Sequence, residues 1–402
     1  MMKEQGGALV HTFIYANIAS GGAQTLIMRV GGRLKQKGVD ARVVCRDVSD
    51  KMREQFVENH IAINKINMWT AENLLADVKE EDTVFTFFLR DFLMCESYVA
   101  EKKIGCKVLL YILHPSLLRL EGLKKLKSGR VFVRNYIGKF IYQYIDNGNI
   151  IFMDEMCMEW TEQFYHKEID NPKEKIFRIP MDDIDWKAEK FDLKLEKRKE
   201  GCRILTIARA DFPFKGYIKG LIEDFSVLQK KYKNLSLKII SYGPGIDALK
   251  SWIMTAEQNG AKNIELIGET RYDLLEEYYW QAHLYVGMGT TLLDAAKYGV
   301  VSVNALLDTY QLESTGFFHE FPYLAAAEKK NSSPALNLLE TAIMLPREEY
   351  EKWSEMTREL FQQYYSMDIF MDRILRHQVK KEKHFIPLAV RAGIKLFGLK
   401  RR

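Results

Sequence analysis

Hydrophobic positions follow two alternating patterns along the first half of the chain. Short apolar runs recur through residues 7–181, and amphipathic stretches with a helical period separate them. The runs are ALVHTFIYA, DARVVCRD, TVFTFFL, CKVLLYILH, NIIFMD and IFRIPM. This alternation predicts a parallel sheet with helices on both faces. The first helix should end at Gly38, and its apolar stripe consists of Leu26, Ile27, Val30 and Leu34.

The second half repeats this plan with short connections throughout. Strands are predicted at 202–208, 235–242, 264–268, 283–287 and 300–305. Helices are predicted at 216–232, 247–259, 273–282 and 290–298. Helical periodicity resumes after Pro334. These patterns predict a second doubly wound α/β domain whose crossover connections are right-handed.

A chain of 402 residues exceeds what one hydrophobic core usually spans, so two domains are expected. The segment 184–201 is densely charged and lacks apolar periodicity, which indicates an interdomain linker. The domains are then residues 1–183 and 202–363. Asp183 and Asp185 form a D-x-D pair, but their place beside a charged linker, and not after a buried strand, disfavours a metal site.

Two loops of the second domain carry the candidate chemistry. Arg209 and Lys215 lie six residues apart in the loop that follows its first strand. Gly287 and Gly289 follow another strand, and Thr290 and Thr291 open the next helix. Both loops are expected at the carboxyl ends of parallel strands, where open α/β sheets bind ligands. Fixed cations beside a helix N-terminus predict a site for a nucleotide-type diphosphate.

These segments, in order and spacing, resemble the nucleotide-sugar half of the family-4 retaining glycosyltransferases of the GT-B fold, of the bacterial surface-polysaccharide type. The motifs are Arg209 with Lys215-Gly216, then SYGPG (241–245), NIELIGE (263–269) and GMGTTLLDAAKYGV (287–300). The resemblance is strong over most of the second half and weak over the first. It implies two facing doubly wound domains, with a last helix, from about residue 364 to 380, that crosses back to the first domain.

The resemblance also implies roles for individual residues. Arg209 and Lys215 would hold the donor diphosphate, the segment Gly268–Thr270 would cradle the base, and Asp294 would hold the ribose. His114, which follows the strand CKVLLYILH, matches a cleft histidine of the family. The other implied donor-binding residues are Gly21, Gly22, Gly243, Glu269, Gly287, Gly289, Thr290 and Thr291.

The sequence departs from the family pattern of two glutamates eight positions apart. Asp294 stands at the position of the second glutamate, and Val286 stands at the position of the first. The run GMGTTL is not a dinucleotide fingerprint, because Leu292 occupies the third glycine position and no acidic residue follows at the usual distance.

The composition of the chain indicates the cellular compartment in which this chemistry would take place. The five cysteines are scattered and lie mostly in apolar runs, which is typical of reduced core thiols in a cytoplasmic protein. No signal peptide or run long enough to span a membrane is apparent. A net charge of +5 is modest, and its cations concentrate in a few segments.

Two of these basic segments interleave cations with large apolar side chains, namely residues 117–145 and 381–402. Such segments suit an anionic membrane surface, so a peripheral location on the inner face of the membrane is expected. A solvated helix face explains the first segment equally well, and an unstructured basic terminus is the alternative for the second. No nucleic-acid motif accompanies the charge, so no nucleic-acid partner is expected.

The sequence thus predicts a metal-independent, retaining glycosyltransferase without a cofactor. Its donor would be a nucleotide diphosphate sugar, most plausibly a UDP-sugar, and its acceptor a lipid-linked sugar or a surface polysaccharide. Two alternatives stay open. One is a catalytically silent GT-B subunit that supports an active partner, and the other is a sugar-nucleotide epimerase of the same fold.

Overall fold

The structure is a computed structural model that describes residues 9–19, 21–119 and 129–380. The chain forms two compact units, one with the described residues up to Pro180 and from Met367, and one of Met181–Ser366. The basic tail 381–402 lies outside the described residues, as do residues 120–128 of the first basic segment.

The first unit is a parallel α/β unit. Its strands are β1 (Val10–Ile14), β2 (Asn17–Ile18), β3 (Asp40–Cys45), β4 (Asp47–Val48), β5 (Ala62–Lys65), β6 (Thr83–Thr86), β7 (Lys107–Ile112) and β8 (Ile150–Phe152). Its helices are α1 (Gly22–Gln36), α2 (Asp50–Glu58), α3 (Ala71–Leu74), α4 (Leu89–Lys102), α5 (Arg130–Asp146), α6 (Glu155–Tyr165), α7 (Pro172–Lys175) and α15 (Met367–Arg376).

The main sheet of this unit has the strand order β5-β3-β1-β6-β7-β8, and all neighbours pair in parallel. Successive residues of its strands face opposite cores, as strand geometry requires. Leu110 packs in a core with α4, α5 and α6, whereas Tyr111 packs in the other core with α1, α2 and α15. The predicted sheet covered on both faces is therefore confirmed.

Local signals in the sequence account for several element boundaries of the first unit. The four stripe residues of α1 are buried, and the helix ends before Gly38 as predicted. Asp154 caps α6 by accepting a hydrogen bond of 2.8 Å from the N–H of Cys157. The run IFRIPM, predicted as a strand, makes only isolated bridges at Ile176 and Met181, and β5 was not predicted.

The second unit is also a parallel α/β unit. Its strands are β9 (Cys202–Arg209), β10 (Leu235–Tyr242), β11 (Ile264–Ile267), β12 (Leu284–Gly287), β13 (Val301–Asn304), β14 (Glu313–Ser314) and β15 (Ser333–Pro334). Its helices are α8 (Ala188–Lys197), α9 (Tyr217–Lys231), α10 (Ile246–Gln258), α11 (Leu275–Gln281), α12 (Thr290–Lys297), α13 (Leu336–Met344) and α14 (Arg347–Tyr365). Its main sheet has the order β11-β10-β9-β12-β13, again parallel.

The strands and helices predicted for residues 202–305 match the observed ones closely, apart from a short 3-10 turn at Tyr272–Leu274 that opens the α11 segment. Gly299 closes α12 with a φ of 59°, which is the left-handed conformation expected of a helix-terminating glycine. Helix α15 joins the first unit, where Arg33 of α1 donates a 2.5 Å hydrogen bond to Asp368.

The segment expected to be a linker is instead part of the second unit. It forms helix α8, and it buries Phe191, Lys194 and Leu195. The dense charge of this segment was misleading, because a long Lys side chain can be buried along its aliphatic stem. All five cysteines are free and buried, which agrees with the predicted core thiols.

Candidate functional site

The strand order of the second sheet creates a topological switch point. The chain builds β9, β10 and β11 outward in one direction and then returns to place β12 on the other side of β9. The loops after β9 and β12 therefore diverge at the carboxyl edge and leave a crevice between them, which is where parallel α/β sheets bind ligands. The residues predicted to bind a diphosphate lie in these two loops.

The loop after β9 presents Arg209 to solvent as the last residue of the strand. Backbone hydrogen bonds fix the loop, since the N–H of Lys215 donates to the Asp211 carbonyl and that of Gly216 to the Pro213 carbonyl, both at 2.8 Å. The Arg209 guanidinium has no hydrogen-bond or ion-pair partner within the described part of the chain. A hydrogen-bonded loop thus carries a cation that has no anionic partner among the residues that the structure describes.

Lys215 supplies a second cation from the same loop. Its side chain is partly buried, with Nζ 5.3 Å from the centre of the Phe214 ring. Burial lowers the pKa of Lys215 to about 8, and the nearby Asp211 carboxylate opposes that shift. No described residue forms an ion pair with Lys215. An ammonium that has lost water without gaining a counterion favours binding of an anion.

The loop after β12 provides backbone donors on the other side of the crevice. Gly289 adopts a φ of 71° as the N-cap of α12, and its own N–H donates to the Ala325 carbonyl at 2.6 Å. The next two N–H groups, those of Thr290 and Thr291, have no acceptor among the described residues. Free N–H groups at a helix N-terminus attract a phosphate through hydrogen bonds and the helix dipole.

The side chain of Thr291 has a structural role in this loop. Its hydroxyl lies 2.7 Å from the Tyr285 hydroxyl, 3.0 Å from the Ile207 carbonyl and 3.2 Å from the Met288 carbonyl. These contacts tie the start of α12 to β9 and β12. Thr291 can therefore serve a ligand through its N–H, while the exposed Thr290 keeps its hydroxyl at the surface.

A cavity of about 360 Å³ opens beside the loops after β10 and β11. Gly243, Gly268 and Glu269 come together in its lining, as the resemblance implied for the base. The lining also includes Ser241, Tyr242 and Leu266 from the two motifs, and Ile246 and Lys250, which the sequence did not single out. An apolar cleft with few polar groups is typical of a small-molecule site.

Asp294 lies in a second cavity, of about 390 Å³. Its side chain is only 2% exposed, and its Oδ1 atom has one ion-pair partner and one hydrogen-bond donor. Lys297 Nζ is 2.9 Å away and the Tyr272 hydroxyl 2.8 Å away. Tyr272 belongs to the same loop as Gly268, so this loop lines both cavities.

Sequence reasoning missed both partners of Asp294. The three-residue separation of Asp294 and Lys297 places them on one face of a helix, so the spacing was a usable signal for Lys297. Nothing in the sequence pointed to Tyr272. The predicted D-x-D residues, Asp183 and Asp185, line the same cavity. Among described residues, no group of three or more acidic, cysteine or histidine side chains has a geometry that could hold a metal ion.

His114 lies two residues past the end of β7 in the first unit and is exposed. Its Nδ1 accepts the N–H of Ser116 at 3.1 Å and lies 2.8 Å from the Ser116 hydroxyl. An N–H donor requires a lone pair on Nδ1, so the neutral ring carries its proton on Nε2. The loop conformation thus selects one tautomer of His114.

Gly21 and Gly22 lie at the N-terminus of α1, also in the first unit. A Cβ atom on Gly21 would come within 2.6 Å of the Gln24 Oε1, so this position requires a glycine or a displaced Gln24. Gly22 has open space at the same place. The backbone N–H groups of Gly22 and Ala23 have no acceptor in the described residues, which gives this turn the same anion-binding character as that of α12.

Comparison with known proteins sets this geometry in context. No protein-family model and no curated protein matches the chain. Solved structures do match it over nearly its whole length. A glycosyltransferase from Rickettsia africae is 14% identical, with 92% of this chain and 97% of that chain covered at a TM-score of 0.63. The chain has the GT-B fold.

Other solved structures agree with this GT-B assignment. The Anabaena protein HepE in complex with UDP and glucose is 10% identical, with 91% of this chain and 98% of that chain covered at a TM-score of 0.58. Sucrose-phosphate synthase from Thermosynechococcus elongatus is 11% identical, with 92% and 98% covered at a TM-score of 0.57. The GT-B fold predicted from the sequence is confirmed.

In this GT-B chain the predicted site residues form two groups. Arg209, Gly243, Gly268 and Gly287 lie at the carboxyl ends of four neighbouring strands of the second unit, so the structure brings them together. The first unit holds the other group, which consists of Gly21, Gly22 and His114. Val286, at the position of the first glutamate in the pattern that the sequence resembles, is a fully buried residue of β12 with an apolar side chain.

Proposed function

We propose that this chain is a retaining, metal-independent glycosyltransferase that transfers a sugar from UDP-sugar to a lipid-linked or surface-polysaccharide acceptor. One observation carries this proposal. Arg209 and Lys215, two cations without an ion pair among the described residues, lie across a topological switch point from the unpaired N–H groups of α12, in a chain of GT-B fold. That arrangement fits a diphosphate.

The chemistry follows from where charge develops. The bond from the anomeric carbon to the β-phosphate oxygen breaks, the acceptor hydroxyl bonds to the same face of the sugar, and its proton passes to the released diphosphate. Negative charge grows on that leaving group, and Arg209, Lys215 and the two N–H groups stabilise it. Fixed donors of this kind contribute about 3 kcal/mol each, so the site supplies the positive charge that a metal would otherwise bring.

The two cavities and the first unit complete the assignment. The base occupies the cavity of Gly243 and Gly268, and the ribose approaches Asp294. The resemblance also gives His114 of the first unit a catalytic role. UDP is the first nucleotide to test because HepE, a structural neighbour, was solved with UDP and glucose.

The first experiment is a panel of UDP-, GDP- and ADP-sugars with the purified protein, without added acceptor or metal. One nucleotide family should raise the melting temperature, since binding to the folded state stabilises it by mass action. Slow release of free nucleotide should accompany the shift, with water as the acceptor. The absence of binding to every donor would overturn the proposal.

The buried Val286 favours a second candidate, the catalytically silent GT-B subunit, because no carboxylate is present where the family has one. Binding of a UDP-sugar without turnover, even with acceptor lipids supplied, would support this candidate. Interconversion of the donor into its epimer would instead support the epimerase. The retained cations Arg209 and Lys215 favour an active transferase over the silent subunit.

We also propose that helix α5 contacts an anionic membrane surface. Its exposed side carries Val131, Phe132 and Tyr136, and Phe132 is 73% exposed. The rings of Phe132 and Tyr136 stack at 6.2 Å, and Lys139 lies one turn further along the same side. Exposed aromatic groups beside cations suit the headgroup boundary. Among described helices, none has both the length and the apolar content needed to cross a membrane.

The double variant Phe132→Ser, Tyr136→Ser should reduce cosedimentation with phosphatidylglycerol vesicles about tenfold, because two large apolar groups no longer enter the interface. Phosphatidylcholine vesicles should retain little of either protein. Val227→Ser, which removes an exposed apolar group from α9 of the second unit, is the matched control and should behave like the wild type. Equal sedimentation of the double variant and the wild type would contradict membrane contact through α5.

A further inference from the structure

We infer that Tyr272 and Lys297 are positioning residues that orient the Asp294 carboxylate to select a ribonucleotide over a deoxyribonucleotide. This inference rests on the proposed function. It concerns how the buried carboxylate recognises a sugar hydroxyl, and the contacts of Asp294 within the second unit carry it.

The three side chains form a closed cluster. Lys297 Nζ lies 2.9 Å from Asp294 Oδ1 and 3.2 Å from the Tyr272 hydroxyl oxygen, and that hydroxyl lies 2.8 Å from the same Oδ1. The Tyr272 hydroxyl donates its proton to Asp294 Oδ1 and accepts a hydrogen bond from Lys297, whose ammonium forms an ion pair with the same Oδ1. The elements that hold them differ, since Tyr272 precedes α11 and Lys297 lies on α12.

The cluster leaves the two carboxylate oxygens unequal. Oδ1 accepts the hydrogen bond of Tyr272 and forms the ion pair with Lys297, whereas Oδ2 accepts no hydrogen bond from the described residues. The Asp294 side chain is only 2% exposed, so Oδ2 is poorly hydrated, and a poorly hydrated carboxylate oxygen favours a hydrogen-bond donor. A hydroxyl of a ligand in the 390 Å³ cavity can meet that need, because Asp294 lines this cavity together with Tyr272 and Lys297.

The orientation of the Asp294 carboxylate affects ligand binding more than the orientation of a glutamate carboxylate would. An aspartate has one methylene fewer than a glutamate, so it has fewer ways to adjust toward a ligand. The hydrogen bond from Tyr272 and the ion pair with Lys297, both at Oδ1, restrict the rotation of the carboxylate and thus the direction of Oδ2. Loss of either contact should free that rotation without removing the carboxylate, which is why Tyr272 and Lys297 act through Asp294.

The test compares the affinities for UDP and 2′-deoxy-UDP by titration calorimetry. A hydrogen bond to a charged group predicts that the wild type binds UDP about tenfold to a hundredfold more tightly. Tyr272→Phe and Lys297→Met should each reduce this ratio of affinities severalfold, mainly by lowering the affinity for UDP. Lys297 is buried, so its variant can fail to fold, whereas Tyr272 is exposed enough to tolerate phenylalanine. Tyr278→Phe, on α11, is the control and should leave the ratio unchanged.

The ratio separates the possible outcomes. A wild type that binds UDP and 2′-deoxy-UDP equally would overturn the inference while the proposed function stands. A Tyr272→Phe variant whose affinities for UDP and 2′-deoxy-UDP fall by the same factor would also overturn the inference, since an equal loss indicates a merely structural role. Failure of the wild type to bind UDP at all would overturn both the inference and the UDP assignment.

Discussion

Replacement of Lys215 by alanine is expected to lower kcat/KM for sugar transfer by about a hundredfold to a thousandfold without unfolding the protein. The ammonium loses its hydration to partial burial and has no ion pair among the described residues, so its charge is available to the leaving diphosphate. Loss of one such fixed donor costs about 3–4 kcal/mol in the transition state. Steady-state kinetics with the donor identified by the nucleotide panel measures the effect.

Lys219→Ala is the matched control for Lys215→Ala. Lys219 lies four residues further along, on α9, is more exposed, and forms an ion pair of 3.4 Å with Glu223. Its removal should leave kcat/KM near the wild-type value, because the Glu223 carboxylate already neutralises its charge. Full turnover by Lys215→Ala, or an equal loss in both variants, would remove the diphosphate assignment of Lys215.

The pH dependence of binding gives Lys215 a second signature. Because its pKa is lowered to about 8 in the free protein, Lys215 is charged below that pH and neutral above it. A bound diphosphate favours the charged form and raises this pKa, so affinity should fall as pH increases through 8. The same titration with Lys215→Ala should lack this decline.

Much of the fold was predictable because its signals are local. The strands from Cys202 to Asn304 are short apolar runs between helix-forming segments, and both ends of α12 are marked by glycines. Parallel order at the sheet centre follows from these alternations, since each short crossover is right-handed. The prediction failed where the pattern was mixed, as in β5, whose sequence AINK has weak strand character.

The candidate site was predictable only in part, because spacing reveals loops and not contacts. Arg209, Lys215 and the glycines at 287 and 289 were found from their places after strands. Tyr272 was not found as a partner of Asp294, because the two residues are 22 positions apart in the chain. The bracing role of Thr291 was also hidden, since it depends on the neighbouring strand β9.

Lys194 shows how a charged segment can conceal part of a core. It lies on α8, where the sequence indicated a linker, and its side chain is 2% exposed. Its Nζ donates to the Tyr298 carbonyl at 3.0 Å and lies 5.5 Å from the Trp280 ring centre, with no carboxylate partner among the described residues. Burial without a counterion lowers the pKa of Lys194 to about 7.

Lys194→Met is therefore expected to stabilise the protein at pH 7 by about 2 kcal/mol, because the unpaired charge is removed and the aliphatic stem is kept. Removal of the buried charge alone would stabilise the protein by more than this, but loss of the hydrogen bond to the Tyr298 carbonyl offsets part of that stabilisation. Calorimetric melting of the wild type and the variant measures the difference. Lys197→Met, one turn along α8 and only partly buried, removes the same charge and should change the melting temperature little.

The stability of the wild type should also depend on pH in a defined direction. The pKa of Lys194 is about 7 in the folded state and returns to the ordinary lysine value of 10.5 on unfolding, so the unfolded state binds more protons between these values. Stability from this group therefore rises with pH across that window and is flat below it. Lys194→Met should lack this rise between pH 7 and 9, whereas Lys197→Met should keep it. A Lys194→Met variant that melts lower than the wild type at pH 7 would show instead that the interior contacts of the ammonium outweigh its loss of hydration.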